Sequence, residues 1–302
     1  MPESVLAIPL ADGSFDSVAT TAEGPPLAFA SRAVQDGYAG QLWDLSAGAA
    51  LGSPIPDFPA DRAEWTFGLA AGSPVVAWTH RDRVHVQHLG TGREVVLDGQ
   101  PDLLGLAAPG GRGAVVAVFG PANDARVAVW DALTGDRFAE FALWLGHGTA
   151  IDRALLHAAP GTGPLVALAG ERDLVVLDVA RGEAVAALPF ARAVLAGSAP
   201  GPVFVQPAGN ALHVRCVNGE WVAVLSAPGP CHPVAAAGSG GRLLVAAALR
   251  DEPGTVLAWD ADDSTPSHHV KIPAPVTDLA MAPDGTLLAA TDDGLYATRL
   301  LG

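Results

Sequence analysis

Apolar residues along this chain come in strict alternation or in short continuous runs, broken every few positions by Gly, Pro or Asp. No segment sustains the helical spacing of apolar positions, and the two-residue period points to strands. Residues 276–301 show the pattern most plainly. VTDLAMA and TLLAAT flank Pro283-Asp284-Gly285, and Asp292-Asp293-Gly294 leads into LYATRLL. Pro fixes φ and Gly supplies positive φ, so both breaks are turns between antiparallel strands. Three strands leave an open edge, which folded chains avoid. The apolar stretch Ser4 to Leu10 is the expected fourth strand, with Val5–Leu10 lying beside Leu295–Leu300.

The same unit recurs upstream. Leu42-Trp43-Asp44-Leu45-Ser46-Ala47-Gly48 returns at Val86 to Gly92, Val129 to Gly135, Val176 to Gly182, more weakly before Gly219, and at Ala258 to Ser264. The copies lie roughly 37–47 residues apart, each with room for four short strands, which is the signature of a propeller. The predicted units run Ser14–Ile55, Glu64–Leu97, Asp102–Leu143, Ile151–Pro189, Ala193–Leu225 and Pro233–Ile272, followed by the C-terminal stretch. Ala-rich Leu243–Leu249 suits a helix by propensity, but it is shorter than a stable helix and turn residues bound it. The expectation is an all-β chain forming a single domain over residues 1–302. It is a seven-bladed β-propeller with four antiparallel strands per blade, its last blade closed by an N-terminal strand.

Composition narrows the function. Gly 35 and Pro 25 fit a chain of many tight turns. The net charge of −15 repels phosphate backbones, so nucleic acid is not expected as a partner. Lys271 is the only lysine. Cys216 and Cys231 are expected as free thiols, because a core this size needs no disulfide. The N-terminus lacks the basic region of a signal peptide and no apolar run is long enough to span a bilayer. A monomeric, cytoplasmic protein without membrane contact is the expectation.

Trp43-Asp44, Trp130-Asp131 and Trp259-Asp260, at the ends of third strands, resemble the pairs of the WD-repeat β-propeller family. The run from Val276 through Gly294 is similar to that family's strand–turn–strand signature, and Gly146-His147 resembles its Gly-His pair. The resemblance covers the whole chain but is degenerate. Units two, four, five and seven lack the Trp-Asp pair, and only one unit has a Gly-His. The family implies a ring with a central channel, whose closing blade joins both chain ends. No cofactor is expected.

Candidate chemistry is sparse. The tryptophans of the pairs read as packing residues, and the aspartates that follow read as turn caps. His85 and His88 lie three apart on one strand and so face opposite ways. No short-range cluster supplies the convergent ligands of a metal site. No Gly-x-Ser-x-Gly turn is present, and Gly110-Gly111-Arg112-Gly113 and Gly238-Ser239-Gly240-Gly241 read as hairpin turns, not phosphate loops. Cys231 beside His232 is the least implausible reactive pair. Asp16, Glu64, Asp102, Asp152 and Asp278, near the starts of first strands, are candidates to ring a channel mouth and hold a cation. With His147 they define the rival reading, a propeller hydrolase or lyase. The preferred reading has no catalytic residues and no metal. It is a scaffold for a protein or peptide, with binding residues on loops after the second and fourth strands of each unit. The candidates are Arg32, Tyr38, Arg81, Arg83, Arg126, Trp144, His147, Phe190, Arg192 and Arg250, joined by Trp65. Arginine with aromatics is the composition of interaction hot spots.

Overall fold

The computed structural model describes residues 3–21, 24–61, 64–107, 113–120, 125–143, 151–157, 165–170, 174–178, 183–188, 194–198, 201–239 and 241–301. Every regular element among them is a strand, and none of the described residues forms a helix long and apolar enough to cross a membrane.

The chain opens with β1 (Glu3–Leu6) and β2 (Ile8–Asp12). Sheet one holds β3 (Phe15–Thr20), β4 (Leu27–Val34), β5 (Gly37–Asp44) and β6 (Ala49–Pro56). Sheet two holds β7 (Trp65–Ala70), β8 (Ser73–His80), β9 (Arg83–His88) and β10 (Glu94–Asp98). Sheet three holds β11 (Leu103–Ala107), β12 (Ala114–Phe119), β13 (Ala125–Asp131) and β14 (Arg137–Leu143). Sheet four holds β15 (Ile151–His157), β16 (Leu165–Gly170), β17 (Leu174–Asp178) and β18 (Glu183–Leu188). Sheet five holds β19 (Val194–Ser198), β20 (Gly201–Ala208), β21 (Ala211–Cys216) and β22 (Trp221–Ser226). Sheet six holds β23 (Cys231–Ser239), β24 (Arg242–Leu249), β25 (Thr255–Asp260) and β26 (His268–Lys271). Sheet seven holds β27 (Val276–Met281), β28 (Thr286–Thr291) and β29 (Gly294–Arg299). Each sheet is an antiparallel meander in chain order, as the repeat pattern predicts.

The N-terminal segment divides between two sheets. β2 is the fourth strand of sheet seven, antiparallel to β29 with Ile8 opposite Ala297 and Asp12 opposite Gly294. Val5 and Leu6 do not join it, contrary to expectation. β1 instead adds to β26 in parallel as a fifth strand of sheet six, with Val5 opposite Val270. The register of β2 slips between Pro9 and Ala11. Pro has no amide to donate, and such an irregularity is where a strand tolerates it.

Two compact units are present, Met1–Ala60 with Ala196–Gly302, and Asp61–Leu195. In the first, β24 explains why its sequence is a continuous apolar run. Leu244, Ala246 and Ala248 face a cluster with Leu279 and Met281 of sheet seven. Leu243, Val245, Ala247 and Leu249 face another with Val203, Val205 and Leu212 of sheet five. Both faces are covered, so alternation is lost, and burial outweighs the helical propensity of alanine. β28 does the same between sheets six and one, with Leu287 and Ala289 on one side and Leu288 and Ala290 on the other. First strands lie side by side, β23 by β27 and β27 by β3. The last contact is stitched by hydrogen bonds between chain ends. The Val18 amide donates to Asp278 Oδ2 (3.0 Å), the Thr20 hydroxyl to the Met281 carbonyl (2.8 Å) and the Thr277 hydroxyl to the Phe15 carbonyl (2.9 Å).

In the second unit β11 neighbours both β7 and β15. Val115 and Ala117 of β12 face sheet two's Val84, Val86 and Leu97, while Val116 and Val118 lie in a cluster with Val175 of sheet four. His88 is buried in this unit, and its Nε2 donates to the Ala132 carbonyl (2.9 Å), tying sheet two to sheet three. His85 points the other way, stacked on Trp78 and bonded to Glu94.

The Trp-Asp pairs behave as read. Trp43, Trp130 and Trp259 are buried. Asp44 accepts from the amides of Ser46 and Ala47, and Asp131 from those of Leu133 and Thr134. The indole N–H groups of Trp43 and Trp259 are buried without an acceptor.

Candidate loop-face site

In sheets one, five, six and seven the turn after the second strand meets the connection that follows the fourth, and in sheet three it meets the connection that precedes the first. In sheet one the Phe58 amide donates to the Tyr38 carbonyl, and in sheet three Gly120 N–H donates to Asp102 Oδ2. In sheet five Ala227 N–H donates to Asn210, in sheet six Ile272 to Gly254, and in sheet seven Gly13 to Asp293. These loops therefore share one end of their sheet, where most sequence candidates sit.

Arg32 lies near the end of β4, exposed, with its guanidinium 5.9 Å from the Phe15 ring centroid. Tyr38, at the start of β5, is half-buried. Arg126 lies over the Phe119 ring at 4.5 Å and pairs with Glu140 at 3.0 Å. Arg83 is exposed and 3.9 Å from Asp98. Arg250 and Glu252 are exposed in the β24–β25 loop. Trp65 has no exposed surface and stands opposite Trp78, so it packs the sheet and presents nothing to a partner in this conformation. Trp144, His147, Phe190 and Arg192 lie outside the described residues.

Arg81 and Asp82 form the whole β8–β9 turn, and both hold positive φ, 48° and 65°. A two-residue hairpin of this shape favours Asn-Gly, because a side chain on Cβ is penalised there. The sequence places a charged pair, both exposed, where Gly or Asn is easier. Backbone strain retained in this way concentrates where side chains are needed for function. Composition alone does not reveal the feature; the spacing of β8 and β9 does, since it leaves no other residues for the turn.

The acids proposed for a channel mouth are dispersed in role. Asp278 accepts from Val18 and Leu279 amides, and Asp102 from Gly120. Glu64 is exposed. Asp16 sits at a register slip in β3, with Oδ2 buried and unpartnered. The side chain of Asp152 is outside the described residues. No three His, Cys, Asp or Glu among the described residues converge in a way that could hold a metal ion. Cys231 is buried and its thiol is pushed by burial from 9.0 to about 11, away from thiolate chemistry. Both cysteines are free.

No protein-family model and no curated protein sequence matches this chain. Among solved structures it is similar to the structure of U3-55K, with 14% identity and a TM-score of 0.66 over 98% of this chain and 99% of that one. It is also similar to the crystal structure of the RRP9 WD40 repeats, with 14% identity and a TM-score of 0.64 over 94% of each chain. At this identity the likeness speaks for the fold, and the fold is that of WD40 repeats.

Proposed function

We propose that this chain, with the fold of WD40-repeat proteins, is a non-catalytic scaffold that binds a protein or peptide partner. The seven sheets serve as seven blades, with β2 completing the last. The loop ends of the blades supply the recognition residues. Arg32 and Arg250 in one unit and Arg81, Arg83 and Arg126 in the other meet acidic groups of the partner, while Tyr38 supplies aromatic contact; Trp144, His147, Phe190 and Arg192 are assigned to loops by sequence. The net charge of −15 disfavours nucleic acid, and the protein is proposed to act as a cytoplasmic monomer.

The observation that carries the proposal is the Arg81-Asp82 turn, which holds two successive charged residues at positive φ. WD40-repeat neighbours support an interaction scaffold in general terms. Affinity purification from the native host, with Arg81→Glu/Arg83→Glu/Arg250→Glu in parallel, tests the reading. The wild-type chain is expected to retain a discrete partner that the triple variant loses while its thermal melt stays unchanged. Equal recovery by both chains, or none by either, defeats it.

A further inference from the structure

The far edge of each sheet, its fourth strand, is a row of open backbone groups unless something guards it, and folded proteins guard such edges with charge, proline, irregularity or an added strand. β6 carries Gly52, Pro54 and Pro56, and β10 carries Glu94 and Asp98. β14 carries Arg137 and Glu140, β18 begins with Glu183, and β2 holds Pro9 and Asp12. β26 is covered by β1. Among the described fourth strands β22, Trp-Val-Ala-Val-Leu-Ser, alone has no charge, proline, glycine or covering strand, and the shift of its register at Val222 leaves Ala223 to Ser226 regularly paired on the inner side.

Three of its apolar residues are also exposed. Trp221, Val222 and Val224 are 52%, 42% and 46% exposed. The Trp221 ring is held in place by the Arg215 guanidinium, 3.7 Å from its centroid, and by the edge of His213 at 4.8 Å. The open backbone can be assigned. Ala227 N–H donates inward to Asn210, whereas Ser226 N–H donates outward to the Ser264 carbonyl. Antiparallel pairing alternates, so the amide of Val224 also faces outward, and beyond it the register with β21 shifts at Val222. A segment of this chain thus already bonds one end of the edge, and the next sheet shows a whole strand added at the equivalent place.

We infer that β22 is a docking edge for an extended peptide of a partner protein, which adds to sheet five as β1 adds to sheet six. The chemistry of that peptide follows from the surroundings. Glu220 precedes the strand, Asp262 and Asp263 belong to the loop that caps its end, Asp251 lies by the following turn, and all four are exposed. Residues 217–230 contain no cation. The fitting ligand has an uncharged, β-branched centre flanked by Lys or Arg. A second copy of β22 is disfavoured, because antiparallel pairing of two copies sets the Glu220 of each near Asp262 and Asp263 of the other. Val224 is not among the loop-face residues, so the two readings are tested separately.

The test uses a fluorescein-labelled peptide of alternating Val and Thr flanked by lysine pairs, followed by anisotropy with the full chain. Binding is expected, weakening as salt rises, and a peptide with glutamate flanks is expected not to bind. Val224→Pro keeps the inward bonds to β21 and removes an outward donor, and should weaken binding about tenfold or more with an unchanged melt. Val224→Lys, which keeps the backbone and adds a guarding charge, should do likewise if the proline variant does not fold. No binding by the wild-type chain, equal binding by both Val224 variants, or equal binding of the glutamate peptide overturns the inference. So does concentration-dependent dimerisation in sedimentation that Val224→Lys abolishes, since the occupant is then another copy of the chain.

Discussion

Replacing Arg81-Asp82 by Asn-Gly should make the protein more stable and a poorer binder. Arg81 sits at φ 48° and Asp82 at φ 65°. The left-handed region costs an ordinary L-residue about 1–2 kcal/mol, less for Asp, and almost nothing for Gly. Arg81→Asn should therefore recover about 1 kcal/mol and Asp82→Gly about 0.5 kcal/mol, the latter reduced by the greater freedom of Gly when unfolded. No ion pair is given up in the turn to set against this, because Arg83, which pairs with Asp98, is left in place. The net expectation is a gain of about 1 kcal/mol for the double variant. Urea unfolding followed by tryptophan emission reads it well, since Trp65 and Trp78 are buried in the same sheet. The same variant should lose partner capture. A double variant no more stable than the parent shows that the turn is not strained. One that is more stable but still captures the partner in full removes the argument from strain to function.

Other outcomes follow from single positions. Gly254 has φ +75°, and a Cβ there meets the Ile272 carbonyl at 2.3 Å, whereas Gly209 has φ +60° and open space. Gly254→Ala should cost about 3 kcal/mol or more and Gly209→Ala about 1 kcal/mol; equal costs in urea would show that the loop can yield. Asp278→Ala leaves the buried Val18 amide without its acceptor and should cost about 2 kcal/mol, with Asp278→Asn recovering part of it because the amide oxygen still accepts. For Cys231 the folded thiol titrates near 11 against 9.0 unfolded. Its contribution to stability is thus full below pH 9 and is lost as pH rises through about 11. Mass spectrometry after brief iodoacetamide treatment at neutral pH should find Cys216 modified before Cys231, and the reverse order contradicts the burial.

What the sequence disclosed was local chemistry. The Pro283-Asp284-Gly285 turn is present as read, with Gly285 at φ +82° and the Thr286 amide on Asp284 Oδ1. The caps at Asp44 and Asp131 and the opposed faces of His85 and His88 follow equally from short-range rules. What it hid was long-range. The run from Val5 to Leu10 is apolar throughout and fits either edge, so its division between β26 and β29 is set by two distant partners. Trp65 reads as a loop-end aromatic until Trp78 is placed opposite it. The register slips near Asp16, Thr277 and His232-Pro233 depend on how first strands pack, and no turn residue announces them. Of the site, Arg81 and Arg250 lie in loops as read, whereas Arg32, Arg83 and Arg126 stand near strand ends, and the backbone strain at Arg81-Asp82 was not legible.

The account turns on the two ends of the chain sharing sheet seven, and a register-specific disulfide tests that most directly. With Cys216 and Cys231 replaced by serine, cysteines at Ile8 and Ala297, which stand opposite each other, should link on mild oxidation under native conditions and not in urea. The pair at Ile8 and Arg299 should remain reduced. Linkage of the second pair in preference to the first, or of neither, means that β2 does not lie where sheet seven needs it.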